Sequence, residues 1–272
     1  MKKTAVYLWV ITIVFTILLA YFQRRTGPTK PVRGTVNIEN TDISYRLIRT
    51  ETTGTDAQIR IDMEGAPIDG YYRFRRYLSY DDWTKKSMQT ENGYLVATIP
   101  TQPPAGKVMY QIVLTDGEMD YPLVEEPVII RYKGHVPAIY LVPHIIFMFL
   151  AMLYSNRALL EVFYSKAKLF RLSLITFVTL VLGGLVFGPI VQLFAFGDLW
   201  TGFPLGHDLT DNKTAVAVIF WGIALYKTFR NTARARWWVL AAAVVLIITY
   251  MIPHSLLGSE LDFTNELAHA NL

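Results

Sequence analysis

Whatever site chemistry this chain carries must rest on its five histidines and a few carboxylates, because it contains no cysteine. Without thiols there is no disulfide, no thiolate metal site, no C-x-x-C redox pair and no covalent c-type haem attachment through the chain itself. A metal or haem iron would then be held by imidazole, with carboxylate or methionine in support. The histidines are His135, His144, His207, His254 and His269. Two of them, His144 in "LVPHII" and His254 in "MIPHSL", directly follow a proline. Proline removes a backbone donor and loosens a helix locally, leaving carbonyls that an imidazole N–H satisfies. Each His therefore has a packing role open to it. The ligand role is that His144 and His254 face each other across a helical bundle and bind haem b or a divalent metal through neutral nitrogens.

A third histidine sits in "WTGFPLGHDLTDNKT", residues 200–214, a polar, turn-rich stretch between two apolar runs. His207 and Asp208 there are candidate cofactor contacts, and His207 joins His144 and His254 as a candidate metal ligand. Trp200 and Phe203 suit either an aromatic belt at a membrane interface or a lid over a planar ligand. Asp211 or Thr210 is expected to cap the helix that follows. Glu260 and Asp262, in "SELD", could join Asp208, Asp211, His207 and His254 in a second kind of site for a divalent metal or a proton, or remain solvated acids.

The elements that must position these residues are those of a membrane protein. Among 272 residues, 52% are hydrophobic, only 18% are charged and the mean hydropathy is +0.29, which is too apolar for an ordinary soluble domain. Residues 1–22 read as an N-terminal transmembrane anchor: the uncharged run Ala5–Phe22 exceeds a signal-peptide core and no small-x-small cleavage motif follows. Residues 23–34 read as a Pro- and Gly-rich linker. Over 35–133 the runs "ISYRLIR", "AQIRIDM", "YYRFRRYL", "YLVATIP", "KVMYQIVL" and "PVIIRY" alternate between turn signals such as "ENG", and predict an immunoglobulin-like β-sandwich with nothing catalytic in it. Residues 136–254 predict a four-span helical bundle with spans near Val136–Tyr154, Leu172–Phe196, Ala215–Tyr226 and Trp237–Ile252, an outer loop at 197–213 and a tail at 255–272.

Charge orients these spans. The connectors holding Arg157, Lys166, Lys168 and Arg171, and Lys227, Arg230, Arg234 and Arg236, are short and basic like the Lys2-Lys3 start. By the positive-inside rule all three are cytoplasmic, so the β-domain, outer loop and tail lie outside, in a bacterial inner membrane or a plasma membrane. The net charge of +4 is explained by this bias, and no nucleic-acid partner is expected. In the third span Gly184 and Gly188 form a G-x-x-x-G pair that predicts close helix packing.

The order of His144, a Trp-containing loop reaching Asp208, the helix "NKTAVAVIFWGIALYKTFR" and then His254 resembles the haem-handling membrane domain of cytochrome c assembly proteins. The resemblance covers about 120 residues. It implies haem sheltered by the loop with two flanking histidines near its iron. The loop keeps one Trp, and His207 stands where a Trp would precede Asp208, so the aromatic platform of that family is absent. No G-x-S-x-G, H-E-x-x-H, P-loop or placed G-x-G-x-x-G occurs, which favours a non-enzyme. Two functions follow as expectations: a haem- or metal-binding protein of electron transfer or cofactor handling, or a membrane-anchored assembly subunit whose β-domain binds a protein partner while the helices contact lipid.

Overall fold

The computed structural model describes residues 2–27, 29–164, 168–206, 208–252 and 260–264. The chain divides into a helical unit, Met1–Pro28 with Val136–Phe194 and Asp198–Ser259, and a β-rich unit, Thr29–His135 with Ala195–Gly197 and Glu260–Leu272.

The helical unit opens with α1 (Lys2–Thr26), a helix that runs past the expected anchor boundary. Leu8, Thr12, Thr16 and Leu19 form its buried stripe, at the three- and four-residue spacing of one helix face. The Thr12 and Thr16 hydroxyls donate to the carbonyls of Leu8 and Thr12 (2.7 and 2.8 Å), which satisfies them without a partner helix. The stripe packs on α2 (Ala138–Glu161): Asn156 donates to the Thr16 hydroxyl at 2.9 Å and Trp9 meets Tyr154 edge-on.

The third run forms α3 (Leu169–Val181), a π-helical turn at Leu182–Phe187 and α4 (Gly188–Phe196). Pro189 explains the interruption: its ring and missing N–H disturb the preceding turn, and a π-turn absorbs the disturbance. Next come α5 (Leu209–Phe229) and α6 (Ala235–Met251). Lys3–Thr26, Ala138–Glu161 and Leu169–Phe196 are long and apolar enough to cross a membrane, and Ala235–Met251 is a shorter apolar helix.

Two sequence expectations change here. The second helix continues through Tyr154 to Glu161, so Arg157 is part of a helix and not of a solvated connector. Its guanidinium lies 2.6 Å from Glu161, with both side chains 3% exposed, and it stacks over Trp9. The outer loop also ends sooner, since Leu209–Lys213 form the first turn of α5.

The β-rich unit contains all six runs expected as strands, in β2 (Thr41–Leu47), β4 (Ala57–Asp62), β5 (Asp69–Arg76), β8 (Tyr94–Ile99), β9 (Lys107–Thr115) and β11 (Val128–Lys133). Five further strands appear: β1 (Val32–Ile38), β3 (Thr50–Thr52), β6 (Thr84–Ser87), β7 (Gln89–Glu91) and β10 (Asp120–Pro122). β1 starts inside the expected linker and pairs antiparallel with β2. A six-stranded sheet runs β3-β11-β9-β5-β6, with β10 also on β9, and a three-stranded sheet runs β4-β8-β7. Asn92 and Gly93 join β7 to β8 with positive φ at both residues, the backbone that a two-residue hairpin turn requires.

Alternation builds the core. On β4 Ala57, Ile59 and Ile61 point inward, and on β9 Val108, Tyr110, Ile112 and Leu114 do so. Burial raises the Tyr110 phenol well above its ordinary pKa, and its hydroxyl donates to the Ile48 carbonyl at 2.9 Å. Residues 260–264 join this unit: Glu260 pairs with Lys107, and the Phe263 amide donates to the Leu78 carbonyl at 2.9 Å. Phe263 is buried beneath Arg76. Glu260 is thus an ion-pair partner within the β-rich unit.

Candidate functional site

The loop before α5 is held by the helix that follows it. Asp208, not Asp211 or Thr210, is the N-cap, its carboxylate accepting from the Thr210 amide at 2.7 Å. Asp211 instead reaches back along the chain. Its Oδ2 accepts from the amides of Thr201 (2.7 Å) and Gly202 (3.0 Å) and from the Gln192 side chain (3.0 Å). Asn212 Oδ1 accepts from the Phe203 amide at 2.7 Å. A Cβ on Gly202 would lie 2.6 Å from that of Asp211, so glycine is required for this approach. Lys213, also buried, donates to the carbonyl of Ile252, which ends α6, at 2.7 Å. That is a cation completing a helix C-terminus.

Asp208 and Asp211 therefore have structural work as acceptors for backbone amides. Trp200 is half-buried and its indole donates to the Phe203 carbonyl at 3.2 Å. Phe203 and Leu205 are exposed. The loop is a stapled turn with an apolar tip, a geometry suited to the interfacial-belt role.

His144 is half-buried on α2, and its Nδ1 donates to the Gly183 carbonyl at 2.8 Å. The acceptor lies in the π-turn, where the Gly188 amide also bonds the same carbonyl, five residues back. Glycine is needed here too: a Cβ at Gly183 would sit 2.9 Å from the Met148 sulfur, and one at Gly184 2.7 Å from a Thr214 methyl. A ring N–H bonded to a carbonyl is an arrangement that also orients ligating imidazoles. Among the described residues, however, no group of three His, Asp or Glu side chains comes together to hold a metal ion. His207, His254 and His269 lie outside the described residues. Of the expected ligands, only His144 thus has a defined environment.

A second constellation, on the outward face of the six-stranded sheet, was not anticipated from the sequence. Tyr71, Arg73 and Arg75 alternate on β5, with Lys85 directly opposite Arg73 on β6. Trp83, just before β6, lies under both guanidiniums, 5.1 Å from Arg73 and 5.0 Å from Arg75. Lys85 sits 3.5 Å above the Tyr71 ring. Arg73 is further fixed by Gln111 Oε1, which accepts from its Nε and Nη2 at 3.0 and 2.7 Å. Tyr71, Arg73, Lys85, Gln111 and Asp120 line a groove of about 390 Å³. The Tyr71 hydroxyl donates to Asp120 at 2.9 Å, which raises the phenol pKa.

Like charges directly across a ladder oppose strand pairing, and here aromatic faces accommodate them. The readable signal was the pair of arginines two residues apart, Arg73 and Arg75, in "YYRFRRYL", followed by Trp and two lysines in "DDWTKK". Comparison of the chain with protein-family models, curated proteins and solved structures finds no match to any of them.

Proposed function

We propose that this chain is a non-enzymatic integral membrane protein whose β-domain docks an acidic protein partner. The observation that carries the reading is the Arg73–Trp83–Arg75 stack beside Lys85 and Tyr71. Guanidiniums held against an aromatic ring are restrained before a carboxylate arrives, so less side-chain freedom is lost on binding. In this reading five spans cross the membrane, the basic connectors are cytoplasmic, and the β-domain, arranged as an immunoglobulin-like sandwich, stands outside with the loop before α5. Haem or metal binding receives no support from the environment of His144.

The test is affinity purification of the detergent-solubilised full chain, against a variant carrying Arg73→Glu, Arg75→Glu and Lys85→Glu. The expected result is a partner rich in exposed Asp and Glu with the natural chain and its loss with the variant, while both fold alike by circular dichroism. Equal recovery by both would remove the face from the proposal. A Soret band in the purified protein, abolished by His144→Ala with His254→Ala, would restore the haem reading.

A further inference from the structure

The helical unit has a cavity of about 440 Å³ between the start of α3 and the α5–α6 turn. Phe170 and Phe229 form one wall, their ring centroids 5.9 Å apart. Asn231, Thr232 and Arg236 supply the polar side. The Thr232 hydroxyl donates to the Lys227 carbonyl, and the cation among the lining residues is Arg236, whose guanidinium lies 4.9 Å from the exposed Trp237 ring. Lys168, Arg171, Arg230 and Arg234 are exposed nearby in sequence, on the elements that frame the cavity. None of these five cations has a salt bridge among the described residues.

The chain itself offers little to neutralise them. There is no Asp or Glu between residues 162 and 197, nor between 212 and 259, and Glu161 is taken by Arg157. An excess of cations around a half-open cavity calls for an anion. An apolar track leads away from it: Phe170, Leu174 and Val178 are exposed at four-residue spacing along one face of α3. A free phosphate would have no use for that stripe, whereas an acyl chain would cover it.

We infer that this cavity binds the phosphate headgroup of an anionic phospholipid, with Arg236 and Arg171 at the phosphodiester and an acyl chain along Phe170, Leu174 and Val178. The inference rests on the membrane reading of this unit. It accounts for the opposed demands of the region, charge at its edge and hydrocarbon along its side, with one molecule. It also gives the basic connectors a specific role beyond setting orientation.

Native mass spectrometry of the detergent-solubilised full chain, titrated with phosphatidylglycerol or phosphatidylcholine, tests it. The natural chain is expected to retain phosphatidylglycerol preferentially, and Arg171→Gln with Arg236→Gln to weaken that retention about fivefold per cation removed. Arg236→Lys should keep most of it. Equal retention of the two lipids, or indifference to the double substitution, would overturn the inference. Displacement of phosphatidylglycerol by inorganic phosphate would assign the cations to free phosphate and likewise overturn it. Extraction of membranes with alkaline carbonate separates this failure from that of the membrane reading, because a spanning protein stays in the pellet whichever lipid it selects.

Discussion

Both units of this protein have an apolar core, but they differ in which polar groups they bury and in what their surfaces show. In the β-rich unit the interior is apolar, with Ile38, Ile43, Leu95, Ile99 and Leu114 wholly buried, and cations such as Arg73 and Lys85 stand outside. In the helical unit Thr12, Ser155, Asn156, Arg157, Glu161, Ser173 and Asp211 are inside, while Val6, Ile17, Ile139, Ile219 and Ile248 face outward. Ile219 is 59% exposed and Arg157 2%. Water explains the first arrangement through the hydrophobic effect. The second is the arrangement that hydrocarbon favours, since apolar residues lose nothing by facing it and polar groups must find partners within the protein.

The strongest way to break this contrast is to strand a charge. Glu161→Gln leaves Arg157 buried without its counter-ion and should cost about 3–5 kcal/mol, seen as a large fall in the melting temperature of the helical unit in detergent. Arg157→Met with Glu161→Leu should recover most of the loss; failure to recover would mean that the pair has work beyond neutralising itself.

The comparison sharpens with one apolar substitution in each unit. Leu95→Ala in the β core should cost about 2–5 kcal/mol by lost burial and a cavity. Ile11→Ala on the outer face of α1, where Ile11 is 53% exposed, should barely alter thermal stability in lipid. Ile11→Lys should instead cost insertion by about 3 kcal/mol, measured by glycosylation-site mapping, whereas Tyr80→Lys on the β-rich unit should be neutral in a thermal melt.

A smaller effect separates a staple from a ligand. Asp211→Ala removes the acceptor for the Thr201 and Gly202 amides and should cost about 1–3 kcal/mol, with faster amide exchange confined to the loop before α5. Loss of a bound cofactor on the same substitution, without a change in exchange, would return Asp211 to a ligand role.

The smallest effect is a pH dependence in the β-rich unit. The Arg76 guanidinium, hydrogen-bonded to Asp81 at 2.8 Å, holds that carboxyl below its ordinary value of 3.8. A depressed carboxylate stabilises the fold above its unfolded pKa, and that contribution disappears as pH falls through the folded value. Asp81→Asn should therefore lower the melting temperature slightly at neutral pH, with the difference vanishing in acid well below pH 4. A difference that persists in acid would assign the effect to packing against Phe263.

Much of the fold was legible because its signals are local. Most of the six strand-length runs show a period near two, and "ENG" marked a turn that the structure closes at Asn92 and Gly93. Apolar length revealed the N-terminal helix and the two further helices that are long and apolar enough to cross a membrane. Helix ends were not legible where hydropathy and helicity part company. "YSNRALLE" ends the apolar run after Tyr154, yet the helix proceeds because Arg157 and Glu161 pair one turn apart and α1 supplies Thr16 and Trp9 to cover Asn156 and Arg157. The cap was misplaced for a similar reason: Asp211 answers to amides ten residues earlier, which no adjacent residue announces.

The sequence by itself determined the kinds of surface this protein has: an alternating region that hides its apolar residues, long apolar helices that show theirs, basic connectors, and no thiol chemistry. These follow from composition and period, which are properties of neighbouring residues. Only the tertiary structure decided which polar groups meet: Asp211 with Thr201 and Gly202, His144 with a carbonyl in the π-turn, Lys213 with the end of α6, and Trp83 with Arg73 and Arg75. A hydrogen bond or a stacked cation depends on the depth and rotation of separate elements to within about an ångström. Periodicity along one element leaves both of those free until the elements pack.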